Sequence, residues 1–529
     1  MFGRLWKRKA ASVCVLAALP LGSCLFETAT SDSRSGAGAI HDLAYTVTSD
    51  SGGRGCRVDI RILDWPANEP RIFQSPVFYA DNPVMPAPGY KAADLRVRDA
   101  SGKLLSARDT LIPGIGLDGN FIVLPKEARS LGYAVDLAPK DPARFGLPVP
   151  GTAAGVELID GAYYFILPLL GRDYPSQWRT PARFSLEFAP VAGRTLVGVD
   201  SVLSFTTNYQ LMFVRAAFNP VKSMSFPYRN HDVTLYTTTP GGTDLDTFSI
   251  LFRKCIRVVE DSLMPLPGRA YCAGENPQFW GIEGVQGYWF KAEARDLAAV
   301  HVHEIAHTFV GVHHSDLEDP WWKEGLTNYL GNLLALQAGL IGDTVFANEM
   351  LTVRDTFPAV ERYALSSPFV RSHLFPVMDS AFVEPPVPEN YIALVYGKGG
   401  QASMILDRYI LEHSGGKRSV FDLVRDVVAS YGPAFRRADL VASVDRLTGG
   451  SSAAFLSSLL DHPDPLGQDS LVHTYAVLRA LGRFAPGGGK SPIQNVDPPG
   501  EPNPAGKRSG TPGPAPSRQV TAVPAGSKL

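Results

Sequence analysis

Cysteine is scarce in this chain: five residues among 529 are too few to staple a small scaffold, so the fold must rest on a packed core. An excess of one charge is missing too. The 50 lysines and arginines nearly match the 52 aspartates and glutamates, leaving a formal net charge of -2. No basic footprint of the kind nucleic acid needs is left, and no nucleic-acid partner is expected. The apolar run from Ala10 to Gly22 is shorter than the roughly 20 residues that cross a bilayer as a helix. What is present is 45% hydrophobic and 10% aromatic residues, the composition of a globular protein of two or three domains.

The N-terminus reads as a targeting segment. Arg4, Lys7, Arg8 and Lys9 precede the apolar run, which ends in Leu21-Gly22-Ser23-Cys24, a pattern that resembles the bacterial lipobox. Residues 1–24 are thus expected to be a lipoprotein signal, with membrane attachment through a lipidated Cys24. Leu25 after the cysteine resembles the sorting pattern for the outer membrane of a Gram-negative cell, the protein facing the periplasm or the cell surface. Residues 25–43 are expected to be a tether. Among the cysteines left, Cys56, Cys255 and Cys272, the last two are close enough to pair or to remain thiols. The tail 485–529 is rich in proline and glycine and is expected to be disordered. Its final Ser527-Lys528-Leu529 matches a peroxisomal address, which a secretory N-terminus contradicts.

From 44 to 218 the pattern is strand-like. VDIRILDW (58–65), FIVL (121–124), YYFILPL (163–169), RFSLEFAP (183–190) and TLVGVDSVLSF (195–205) are β-branched or aromatic and separated by Gly, Pro and Asp, which predicts an antiparallel, sandwich-like domain. The segment 219–484 changes character. HDVTLYTTT (231–239) and RAYCAG (269–274) read as strands, and 244–263 has helical period. Helices are predicted over 291–314, 320–340, 343–363, 396–413, 418–431, 436–447 and 452–461, with Asp319-Pro320 as a start signal.

The chemistry concentrates in His303-Glu304-Ile305-Ala306-His307. On a helix, residues four apart project from one face about 6 Å apart along the axis. His303 and His307 can therefore share a metal ion, with Glu304 beside an activated water as general base. Two residues compete for the third ligand. Glu324, in Trp321-Trp322-Lys323-Glu324-Gly325, follows after enough chain for a second helix to cross back over the first. His313 stands ten residues after His303, the offset of the third histidine in metzincins, but the glycine that turn needs at 310 is a valine. Glu324 is the expected ligand and His313 the alternative.

HEIAHTFVG (303–311) followed by WWKEGLTNYLGNLLALQAGLI (321–341) resembles the gluzincin metallopeptidases, in particular the glycyl aminopeptidase family and its relatives in the aminopeptidase N family. Phe279-Trp280-Gly281-Ile282-Glu283-Gly284 is similar to the G-L-E-H element of the first and the G-x-M-E-N element of the second. Tyr396-Gly397-Lys398-Gly399-Gly400 is similar to the Y-x-K-G segment. The likeness spans about residues 160–480. It departs at Gly284, where the family has histidine, in a short interval to Glu324, and in a Pro-rich tail where a PDZ domain often stands.

The resemblance implies an α+β fold: an N-terminal antiparallel β domain followed by a thermolysin-like, mainly helical catalytic domain with a small sheet. It implies one catalytic Zn²⁺ on His303, His307 and Glu324, Glu304 as general base, and Tyr396 (with Tyr391 as alternative) donating to the oxyanion. Glu283 would bind the free α-amine of a peptide substrate, making the protein an aminopeptidase. A zinc endopeptidase and an inactive peptide-binding lipoprotein are the competing expectations. His301 is expected beside the site or on the surface, Trp321, Trp322 and Tyr329 as packing residues, and Lys398 at a solvated helix terminus.

Overall fold

The computed structural model describes residues 40–49, 55–74, 92–110, 121–136, 156–170, 180, 182–276, 281–311, 315–316, 321–352, 363–366, 393–431, 434–463 and 467–485. Asp319-Pro320, His313, Tyr391 and both termini lie outside these residues.

Alternation of buried and exposed side chains, clearest along Ala182–Phe188, builds the N-terminal sheets. Seven strands lie in the order Val202–Phe205, Ala182–Phe188, His41–Ser49, Gly55–Asp64, Ser130–Asp136, Ala92–Arg98, Leu104–Leu105. A second, four-stranded sheet orders Leu167–Pro168, Arg71–Gln74, Phe121–Leu124, Arg108–Thr110. Leu43, Tyr45, Val58, Ile60, Phe73, Tyr133 and Phe184 share one buried core.

Three expectations need correction. The domain is not purely antiparallel: His41–Ser49 runs parallel to Ala182–Phe188, with Leu43 opposite Phe184. A parallel pair needs a long crossover, and the chain between those strands provides it. That first strand also takes residues assigned to the tether, because the buried His41 ring bonds Glu69 at 2.9 Å and packs edge-on to Trp65. The run 163–169 is not a strand throughout. Gly161–Tyr164 form a helical turn and only Leu167–Pro168 are extended, with the Tyr164 hydroxyl donating to the Leu158 carbonyl at 2.5 Å. Burial of apolar residues drives either conformation, so the tertiary bonds decide.

The second part of the chain holds the sheet that positions the site. Its strands are β1 (Lys222–Tyr228), β2 (His231–Thr237), β3 (Ala270–Glu275), β4 (Gly281–Gly284) and β5 (Gly287–Phe290), in the order β1-β2-β3-β5-β4. β4 is thus an edge strand, antiparallel to β5 with Glu283 opposite Tyr288. Against this sheet pack α1 (Leu245–Ser262) and α2 (Ala298–Ala306); α3 (Thr327–Gln337) packs on α2, and α4 (Gly399–His413) on α3, within the same core. The predicted helices divide. A 3₁₀ turn, Ala292–Ala294, precedes α2; a π-helical segment, Trp322–Leu326, precedes α3; another, Ala393–Lys398, precedes α4. Of 343–363, Asp343–Leu351 is helical and most of the rest is outside the described residues. Helices Val420–Ser430, Arg437–Thr448 and Ala453–Asp461 match their predictions closely, whereas Gln468–Ala480 was not anticipated.

One buried carboxylate ties these helices together. Asp407 on α4 accepts from the Tyr329 hydroxyl of α3, from Arg483 Nε and from the Val420 amide, each at 2.8 Å. Lys398 departs from its expected solvated position. It is fully buried and its ammonium donates to the carbonyls of Tyr363 (2.6 Å) and Pro463. Cys255 and Cys272 are buried thiols, so the possible 255–272 bridge is not formed. Among the described residues no helix is long and apolar enough to cross a membrane.

Candidate metal centre

Helix α2 places His303 and His307 one turn apart, and α3 crosses it closely. The crossing requires Gly331, whose missing Cβ would sit 3.0 Å from His303 Cβ and from the Ala299 carbonyl. A second glycine contact assembles the rest. A Cβ on Gly325 would lie 2.5 Å from the Gly399 backbone and 2.7 Å from the Val395 carbonyl. The segment carrying Glu324 can therefore lie directly on the one carrying Tyr396. Both are π-helical, a local widening that often marks functional sites.

His303 Nε2 and His307 Nε2 are 2.9 Å apart, and Glu324 Oε2 lies 3.7 Å and 3.3 Å from them. Donors on adjacent corners of a tetrahedral zinc site with 2.0–2.2 Å bonds are about 3.3–3.6 Å apart, a value these three separations bracket. His307 is oriented for such a role. Its Nδ1 donates to the Val310 carbonyl at 3.0 Å, which leaves Nε2, facing Glu324, as the atom that can bind a metal once its proton is displaced. Gly311, at φ +151°, shapes the turn there; its Cβ would stand 3.0 Å from that same Nδ1. The donor set, two imidazoles and a carboxylate, suits zinc. His313, the alternative, lies outside the described residues.

Glu304 points to the edge strand. Gly281 on β4 has no side chain where a Cβ would fall 2.2 Å from Glu304 Oε1, so bare backbone makes the seat for this carboxylate. Its Oε2 is buried with no hydrogen-bond partner among the described residues. Glu283, on the same strand, faces inward, and carboxylate oxygens of Glu283 and Glu304 lie within 4.8 Å of each other and of a His307 nitrogen. The Tyr396 ring stacks on His303 with centroids 5.9 Å apart and planes 15° from parallel.

Charge is dense here, and burial sets its tone. Desolvation pushes Glu304 up to about 8, with Glu283 and Glu324 adding to the effect against His307 and Lys323. Burial would lower His307, but the Glu324 and Glu283 carboxylates carry it to about 9. Burial, then His307, lowers His303. Burial would raise Glu283 and Glu324, yet Lys323 and His307 outweigh it and hold both below the usual carboxylate range, Glu324 far below.

Lys323 was not singled out by sequence reasoning, yet its ammonium contacts Glu283 and lies 3.1 Å from Glu324 Oε1. A lysine beside a candidate ligand was the available signal. The space at Gly284, where the resembled family has histidine, is taken by Arg215: a Cβ there would meet its Cγ at 2.9 Å. Arg215 is itself bound to Asp160 at 2.7 Å. His301 is buried and structural. It accepts from Tyr288 and donates to the Arg295 carbonyl, both at 2.9 Å, and burial lowers it to about 4. Trp321, Trp322 and Tyr329 are fully buried packing residues.

No protein-family model matches the sequence, and no curated protein matches it. Solved structures do match. An aminopeptidase N family protein from Idiomarina loihiensis aligns over 82% of this chain and 78% of its own, at 13% identity and a TM-score of 0.57. A zinc metallopeptidase variant from Deinococcus radiodurans, bound to a Tyr-Ser-Ala substrate, aligns over 80% and 93% at 16% identity and a TM-score of 0.51. Yeast LTA4 hydrolase in complex with bestatin aligns over 80% and 68% at 13% identity and a TM-score of 0.51. The arrangement of sheets and helices around His303, His307 and Glu324 is therefore the fold of the zinc metallopeptidases of the aminopeptidase N family.

Proposed function

We propose that this protein is a zinc-dependent metallopeptidase. The observation that carries the reading is the triangle of His303 Nε2, His307 Nε2 and Glu324 Oε2, with edges of 2.9, 3.3 and 3.7 Å. A zinc ion held there would polarise a peptide carbonyl and make water a competent nucleophile near neutral pH. Glu304 is the general base: a carboxylate oxygen of this buried side chain lies within 4.8 Å of a His307 nitrogen, where it can take a proton from water and pass it to the leaving amine. Tyr396, stacked on His303, donates its hydroxyl to the developing oxyanion, a contribution of about 2–4 kcal/mol where such donors are removed.

Glu283 gives the site a direction. A buried carboxylate at a fixed distance from the metal can select the α-ammonium of a peptide, which makes the protein an aminopeptidase. One observation favours the endopeptidase reading instead: Glu283 already has a cation, Lys323. The two separate on matched peptides with free and N-acetylated termini, given to the zinc-loaded protein with a chelator control. The aminopeptidase releases the N-terminal residue and loses activity on acetylation, whereas the endopeptidase cuts both peptides internally. Absence of any hydrolysis would refute the peptidase reading.

The domain division at 218/219, the thermolysin-like character of 219–484 and the outer-membrane anchor on Cys24 remain proposals from the sequence. Incorporation of labelled palmitate into the wild type but not Cys24→Ala tests the anchor.

A further inference from the structure

We propose that Lys323 is a specificity-determining residue: its ammonium fills the cation position on Glu283, so a peptide's free α-amine must displace it to bind. This rests on the metallopeptidase reading and on Glu283 facing the substrate. Three observations converge. The Lys323 ammonium is in direct contact with Glu283 Oε1 and lies 3.1 Å from Glu324 Oε1. Its side chain is held inside the site, buried, with Nζ 4.8 Å from the centre of the Phe213 ring, where a cation is attracted by the aromatic face. The pair is intramolecular, so it forms without the loss of translational freedom that an incoming amine pays.

Charge balance gives the consequence. Glu283, the carboxylate that a substrate amine would use, is already matched by the Lys323 ammonium. A substrate ammonium would add an unmatched positive charge to a buried site unless Lys323 withdraws. An N-blocked peptide adds none. Burying an uncompensated charge is strongly unfavourable, so Lys323 weakens binding of free N-termini and leaves blocked ones unaffected.

The test uses full-length protein in a Glu304→Gln background, so that the probes are not hydrolysed, with zinc content measured for each sample. Phenylalaninamide carries the α-ammonium; N-acetylphenylalaninamide does not. By titration calorimetry, Lys323→Met should bind phenylalaninamide at least about tenfold more tightly than its parent, the scale of one charge-assisted contact. The acetylated probe should be unchanged. The gain should disappear in Lys323→Met with Glu283→Gln, and Lys323→Arg should resemble the parent. Binding within about twofold of the parent, or an equal gain for both probes, overturns the proposal. A crystal structure of the lysine-containing protein with phenylalaninamide gives a readout that does not depend on the Met variant folding. Lys323 off Glu283 with the amine in its place supports the proposal, and an amine bound with Lys323 still on Glu283 overturns it. A parent that takes up no zinc and cleaves no peptide before the Glu304→Gln change refutes the broader reading, which these binding ratios do not measure.

Discussion

Gly281→Ala isolates the placement of Glu304, the proposed general base, from the metal and from the fold. The new methyl would lie 2.2 Å from Glu304 Oε1, 2.7 Å from its Cδ and 3.0 Å from its Cγ. Ordinary contact begins at 3.4 Å, so the carboxylate must retreat by about 1 Å. The three nearest atoms all belong to the Glu304 side chain on α2, so the side chain is expected to yield while the strand keeps its pairing with β5. A displacement of about 1 Å in a catalytic group can cost about 10²-fold in rate. The assay is kcat on a peptide substrate, with zinc content and melting temperature measured on the same samples. The expected result is a kcat lowered by about 10²-fold with metal and stability kept. A kcat within about threefold of wild type, the Ala side chain being confirmed, would refute the idea that Glu304 acts from its seat on β4.

Other consequences can be checked independently. In the metal-free protein His307 is held protonated up to about 9 by Glu324 and Glu283, so zinc must displace that proton. Apparent zinc affinity should rise about tenfold per pH unit from pH 6 to 8 and flatten as pH passes 9, with at least one proton released; calorimetry in two buffers of different ionisation enthalpy would detect uptake without release, which contradicts it. Asp407→Ala strands the Tyr329 hydroxyl, the Arg483 guanidinium and the Val420 amide, and should cost about 3–5 kcal/mol in urea unfolding. A loss under about 1 kcal/mol would mean that water replaces the carboxylate. Burial lifts the Cys255 and Cys272 thiols to about 12. Because their native forms hold the proton more tightly than the unfolded chain does, their contribution to stability is intact below about pH 8.5 and falls above it. Iodoacetamide at pH 8.5 should leave both unmodified until denaturant is added, as read by peptide mass spectrometry.

The parts of the site legible in the sequence are those set by local spacing. His303, Glu304 and His307 come into view through helical spacing, while Glu324 is preferred over His313 on the interval to His307 and the valine at 310. Glu283 and Tyr396 came only through resemblance, because nothing local says that an edge strand and a third helix start will meet at the same histidines. The structure supplies the reason in glycine contacts, Gly325 on Gly399 and Gly331 on His303, which join distant segments. The Lys323–Glu283 pair is illegible for the same reason: forty residues separate its partners. In the fold, β-branched and aromatic runs bounded by turn residues found the strands 121–124 and 183–188, but pairing direction is long-range, and the parallel neighbour of His41–Ser49 was missed. Lys398 was misplaced because charge normally argues for solvent. Here two backbone carbonyls take the ammonium inside.

The central claim is that His303, His307 and Glu324 hold a zinc ion on which Glu304 performs peptide hydrolysis. Zinc stoichiometry and peptide turnover, measured together on wild type, Glu304→Gln and Glu324→Ala, test it most directly. One zinc per chain is expected in wild type, full zinc with turnover lost in Glu304→Gln, and zinc lost in Glu324→Ala. Retained zinc in Glu324→Ala together with loss of zinc in His313→Ala would contradict the ligand assignment, and undiminished turnover in Glu304→Gln would contradict the mechanism.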